Sequence, residues 1–167
     1  MPYPVHFDTL VADRLSLLGR HRRPCDHLLQ VRSGTLLLRL GREERVLRQG
    51  DCFWLPADCL YGLTLWQGCQ LARIDFSIRV QAPRPRAAGY LQPHPLLQPL
   101  LDRLHQQLTT QPPEWHGHSG RLCRLLADLL PEFQVGAHAP HPMSDGVQCA
   151  LDALRQGGDL TAIANHC

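Results

Sequence analysis

Residues 50–61, GDCFWLPADCLY, set three residues at fixed intervals: Gly50, then Pro56 six positions on, then Tyr61 five beyond that. The runs on either side have the two-residue period of strands. Upstream, His6, Asp8 and Leu10 alternate with Phe7, Thr9 and Val11, and Leu36, Leu38 and Leu40 alternate with Thr35, Leu37 and Arg39. Downstream, Ala72, Ile74, Phe76 and Ile78 alternate with Arg73, Asp75 and Ser77. Gly34, Gly41, Gly50, Gly62 and Gly68 punctuate these runs at the intervals expected of turns. Short strands so spaced predict an antiparallel sandwich or barrel over residues 5–80.

The period then changes. Residues 81–89 (QAPRPRAAG) carry two prolines and two arginines and mark the end of the β-domain. Leu96, Leu100, Leu104 and Leu108 recur every fourth residue, joined by Leu97 and Leu101, and Pro95 or Pro99 suits a first helical turn. After a turn-rich loop at 111–120, Leu122, Leu125, Leu126, Leu129, Leu130 and Phe133 mark a second helix. Two such helices predict an antiparallel hairpin. Four leucines left uncovered would be a serious liability, since burying one is worth roughly 1.5–3 kcal/mol. The apolar faces therefore predict a homodimer through Leu97, Leu100, Leu101, Leu104, Leu122, Leu125, Leu126 and Leu129. The alternative is that both helices lie flat on the β-domain of a monomer.

Residues 136–144 (GAHAPHPMS) have the composition of a spacer. In residues 145–167, Ser144 or Asp145 can cap a helix with Val147, Ala150, Leu151 and Leu154 on one face. Gly157 and Gly158 stop it, and Asp159 caps a second start bearing Leu160, Ile163 and Ala164. The plain alternative is an amphipathic terminal helix with a frayed tail.

Bulk properties narrow the function. A length of 167 residues suits one domain plus a fragment of a second, and a formal net charge of +2 lacks the bias of a chain wrapped on nucleic acid. The seven cysteines are an odd set without a C-x-x-C pair, which predicts reduced thiols in a cytoplasmic protein. No apolar run reaches the length of a membrane span. His116 and His118 lie in a loop without a third ligand, His138 and His141 in the spacer, and there is no G-x-S-x-G or phosphate-binding glycine loop. Trp54, Trp66 and Phe53 could stack on a ligand, or serve as core.

The Gly50, Pro56 and Tyr61 spacing resembles the second cupin motif, with Tyr61 where that motif has a metal-binding histidine and Asp58 in place of its turn glycine. Counted back from Gly34, the first cupin motif falls on His21 and Arg23 at its two histidines and His27 at its carboxylate. Residues 145–167 resemble the start of the DNA-binding domain of AraC-type transcription regulators, with Ile163 and Ala164 at the pair in its second helix. The order of parts is also that of AraC-type regulators with a cupin-like sensor. The resemblance implies an α+β protein: a cupin-like double-stranded β-helix barrel (1–80), a linker and dimerisation hairpin (81–135), an interdomain linker (136–144) and the opening of a helix-turn-helix domain (145–167). The recognition helix would lie outside the chain, so promoter DNA would be bound only through the missing C-terminal part.

The altered ligand positions point away from metal. Two imidazoles and a phenol around a guanidinium would repel a cation, whereas Arg23 can fork onto a carboxylate while His27 and Tyr61 supply hydrogen bonds. The expectation is a regulatory protein binding a small-molecule effector at Arg23, His27 and Tyr61, with no metal, no cofactor and no catalysis. The alternative is a small cupin enzyme of isomerase or dioxygenase type.

Overall fold

A computed structural model describes residues 5–110, 116–137 and 139. The strands expected over 5–80 are present as β1 (Val5–Val11), β2 (Ser16–His21), β3 (Asp26–Ser33), β4 (Thr35–Leu40), β5 (Glu43–Arg48), β6 (Cys52–Leu55), β7 (Tyr61–Leu65) and β8 (Gln70–Phe76). Two short strands come next, β9 (Gly89–Leu91) and β10 (Val135–Gly136), on either side of the helices α1 (Leu97–Thr110) and α2 (His118–Asp128). The strands form two antiparallel sheets, one ordered β1-β8-β3-β6-β9-β10 and the other β2-β7-β4-β5. This is a cupin-like β-sandwich with two helices.

Turn chemistry sets the corners. Gly34 has φ +75°, and a Cβ there would lie 2.9 Å from the Cys69 backbone, so only glycine fits between β3 and β4. Asp58, at the position where the motif has glycine, adopts the same left-handed backbone with φ 60°. An aspartate tolerates this better than most side chains.

The six-stranded sheet is covered on both faces. One set of its residues, including Leu29, Val31, Phe53, Leu55 and Leu71, meets Leu36, Leu38, Leu47, Leu63 and Leu65 of the other sheet in the lumen. The alternate set, with Leu28, Trp54, Ile74 and Phe76, meets the helices. The second core holds Leu97, Leu100, Leu101 and Leu104 of α1 with Leu126 of α2, and Leu129, Leu130 and Phe133 just beyond it.

That arrangement corrects the placement of the dimer residues. Leu101, Leu104 and Leu126 are 0% exposed, and Leu97, Leu100 and Leu129 are also buried within the chain. Leu122 packs partly against the same core, and Leu125, at 44%, is the exposed member of the set. The sheet's outer face is itself apolar and takes up most of the leucine stripes, leaving Leu96 and Leu125 exposed.

Residues 81–88 do not separate the barrel from the helical layer. Arg84 pairs with buried Asp26 and donates to the Val80 carbonyl, while Trp54 Nε1 donates to the Pro85 carbonyl at 2.9 Å. β9 then pairs with β6, and β10 with β9. The helix-turn-helix reading of 145–167 and most of the 136–144 spacer lie outside the described residues. Among those described, no helix is long and apolar enough to cross a membrane.

Candidate functional site

Strand register brings the chemistry together. His27 of β3 stands opposite Asp75 of β8, Leu29 opposite Arg73, and Asp8 of β1 on the far side of Arg73. Leu29 and Leu71 belong to the lumen core, so the residues in step with them, His27, Arg73 and Asp75, share that face. Across the lumen Tyr61 opens β7, and a register shift in β2 between Leu18 and His21 sets His21 opposite it.

Asp75 is the centre of the group. It is 0% exposed, and its Oδ1 lies 2.6 Å from His27 Nδ1 and 3.1 Å from Arg73 Nε, while Arg23 Nη1 donates to Oδ2 at 3.3 Å. The Arg73 Nε contact is an ion pair without hydrogen-bond alignment, and Arg73 Nη2 also donates to Asp8 at 2.8 Å. Burial pushes the Asp75 carboxyl up, but the His27 hydrogen bond and the charges of Arg73, His27 and Arg23 outweigh it and hold the group below its ordinary value. Asp75 is therefore ionised at neutral pH. His27 Nδ1 must then be the donor, which turns Nε2 toward Cys25 Sγ, 4.0 Å away.

Tyr61 stands edge-on to His27 with ring centroids 5.6 Å apart, and His21 lies on its other side at 6.2 Å. Burial raises the Tyr61 phenol above its ordinary value, so it stays neutral. Burial first and Asp75 second likewise raise the Cys25 thiol.

Arg23, His27 and Tyr61, expected to share a site, do gather around one centre. Their exposure divides them. His27 and Tyr61 are 1% and 2% exposed, whereas the Arg23 side chain is 40% exposed and reaches a surface cleft. The sequence reading missed Asp75, Arg73 and Cys25. Asp75 and Arg73 were legible only as the polar half of an alternating run, and in β8 that half faces the lumen while Ile74 and Phe76 face the helices. Phe53 and Trp54 are core, and Trp66 is partly exposed.

The donor set does not fit a cupin metal. Cys25, His27 and Asp75 offer three ligand atoms within 4.8 Å of one another, all buried. However, the Asp75 carboxylate is already neutralised by Arg23 and Arg73, and His27 Nδ1 is occupied by it. A divalent cation would meet the Arg23 guanidinium at a position where the motif has a histidine, with the Arg73 guanidinium beside it on Asp75.

No curated protein matches the chain. Solved structures similar to it include a conserved protein of unknown function from Streptococcus pyogenes (19% identity over 51% of this chain and 68% of that one, TM-score 0.42). An RmlC-like cupin from Shewanella frigidimarina is 18% identical over 46% of this chain and 68% of that one, with a TM-score of 0.42. A salicylate 1,2-dioxygenase variant from Pseudoaminobacter salicylatoxidans in complex with gentisate is 21% identical over 43% of this chain and 19% of that one, with a TM-score of 0.38. The profile of the AraC-like ligand binding domain matches residues 12–132, from the end of β1 to the turn after α2, and the chain belongs to that family.

Proposed function

We propose that this domain is the effector-sensing part of a DNA-binding transcription regulator of the AraC type, cytoplasmic, dimeric and without catalytic activity of its own. The observation that carries the reading is the state of Asp75. Its carboxylate is held by Arg23, Arg73 and His27 where a cupin enzyme would gather ligands for a metal. With Asp75 held by two guanidiniums and His27 Nδ1 already engaged, the group leaves a metal fewer free ligand atoms than a catalytic site needs. It suits a switch better than a reaction centre, because Arg23 links the buried residues to the surface and an anion arriving there competes with Asp75 for the guanidinium. Regulation then arises from any difference in effector affinity between two arrangements of the dimer or its linker.

The test is footprinting with the protein that carries this domain. A discrete DNA site should be protected, with an affinity that changes when the effector is added. Failure to protect any site in its own upstream DNA or elsewhere in the genome would sink the regulator reading.

The grouping of Cys25, His27 and Asp75 favours a second reading, a small cupin enzyme. Near-stoichiometric iron, manganese or zinc in the purified protein, lost on His27→Ala, would decide for it.

A further inference from the structure

Where β3 begins and β8 ends, the chain leaves a cleft of about 440 Å³, lined by Arg23, Pro24, Cys25, Ser77, Ile78 and Arg79. That volume is within the range of small-molecule sites. Two features distinguish it from an ordinary surface depression. Its cations are not balanced: Arg79 is exposed with no ion-pair partner among the described residues, and Arg23 is anchored by one nitrogen to Asp75 with the rest of its side chain 40% exposed. Its apolar part is also uncovered, with Ile78 71% exposed beside Pro24. An exposed isoleucine flanked by two guanidiniums in one cleft presents a surface that a molecule both apolar and anionic would complement.

We infer that this cleft binds an amphipathic monocarboxylate, its carboxylate taken by Arg23 and Arg79 and its hydrocarbon body laid on Pro24 and Ile78. The inference rests on the effector reading and names the chemical class of the effector. Arg23 is the link, since its Nη1 touches Asp75 and, through it, His27. A nucleic acid strand would need stacking aromatics, and the cleft has none. A bare inorganic anion would leave Ile78 uncovered.

The experiment is titration calorimetry on the full chain with hexanoate, hexanol and inorganic phosphate. Hexanoate should bind saturably, about tenfold more weakly in Arg79→Ala, and more weakly as salt rises. Ile78→Ser should weaken it severalfold, while Arg42→Ala, which removes one exposed charge from the β4–β5 turn, should leave it unchanged. Arg79 and Ile78 are exposed, so neither variant threatens the fold. Absence of saturable hexanoate binding, hexanol binding as tightly, displacement by phosphate, or indifference to Arg79→Ala would each overturn the inference. Footprinting fails independently: a chain that binds hexanoate through Arg79 without any DNA response keeps this site and loses the regulator reading.

Discussion

At the scale of single residues, Asp75 fixes the behaviour of its neighbours. Three groups converge on a carboxylate with no access to water, and removing one partner of such an arrangement leaves the others uncompensated. Asp75→Asn should cost about 3 kcal/mol at neutral pH, measured by urea unfolding. Because the folded carboxyl is held below its ordinary value of 3.8, its contribution is present above that value. It is lost as pH falls below 3.8 toward the folded value. The variant should therefore lack this part of the acid limb. Equal stability of the two proteins at neutral pH would mean that the ion network contributes nothing net. The sequence displayed Arg23, His27 and Tyr61 through motif spacing but concealed Asp75, because alternation identifies two faces of a strand without saying which one looks inward.

Elements show the same limit in larger form. The change from a two-residue to a helical period located both helices, and the leucines on them are the ones that carry the second core. The partner surface was not visible, because it is assembled from Leu28 of β3, Trp54 of β6 and Ile74 and Phe76 of β8, whose sequence neighbours fill the lumen. β9 and β10, three and two residues long, are too short to display any period, and the prolines before β9 signal a break where the structure has a strapped loop. The two classes of helix position predict different outcomes. Leu101→Ala, at 0% exposed, should lower stability by about 2–5 kcal/mol, whereas Leu125→Ala should stay within about 0.5. If the chain dimerises through the outer face of α2, Leu125→Asp should give folded monomer in sedimentation, and Leu126→Asp should instead unfold the chain. A dimer untouched by Leu125→Asp would move the interface off this helix.

For the whole molecule, groups that must stay neutral lie on both sides of the six-stranded sheet. Tyr90 of β9 donates its hydroxyl to the Val46 carbonyl of β5 at 2.8 Å, a strut from one sheet to the other. Burial, helped by Asp51, pushes its phenol from 10.0 up to about 12. On the other side of the six-stranded sheet, burial and then Asp51 push the Cys52 thiol from 9.0 up to about 12. A group whose folded value is raised contributes stability below its unfolded value and loses it as pH rises toward the folded one. The protein should therefore begin to lose stability above pH 9, as Cys52 titrates in the unfolded chain, and lose it more steeply from pH 10 to 12 as Tyr90 joins. Two pH units at 1.36 kcal/mol each give Tyr90 a share of about 3 kcal/mol. Tyr90→Phe should be about 1 kcal/mol less stable at neutral pH, having lost the hydrogen bond to Val46, yet flatter between pH 10 and 12. Urea midpoints for the two proteins should meet and then cross within that interval, because a loss of about 3 kcal/mol from Tyr90 exceeds the initial gap of about 1 kcal/mol. Parallel curves would show that the strut titrates no differently in the folded chain than in the unfolded one.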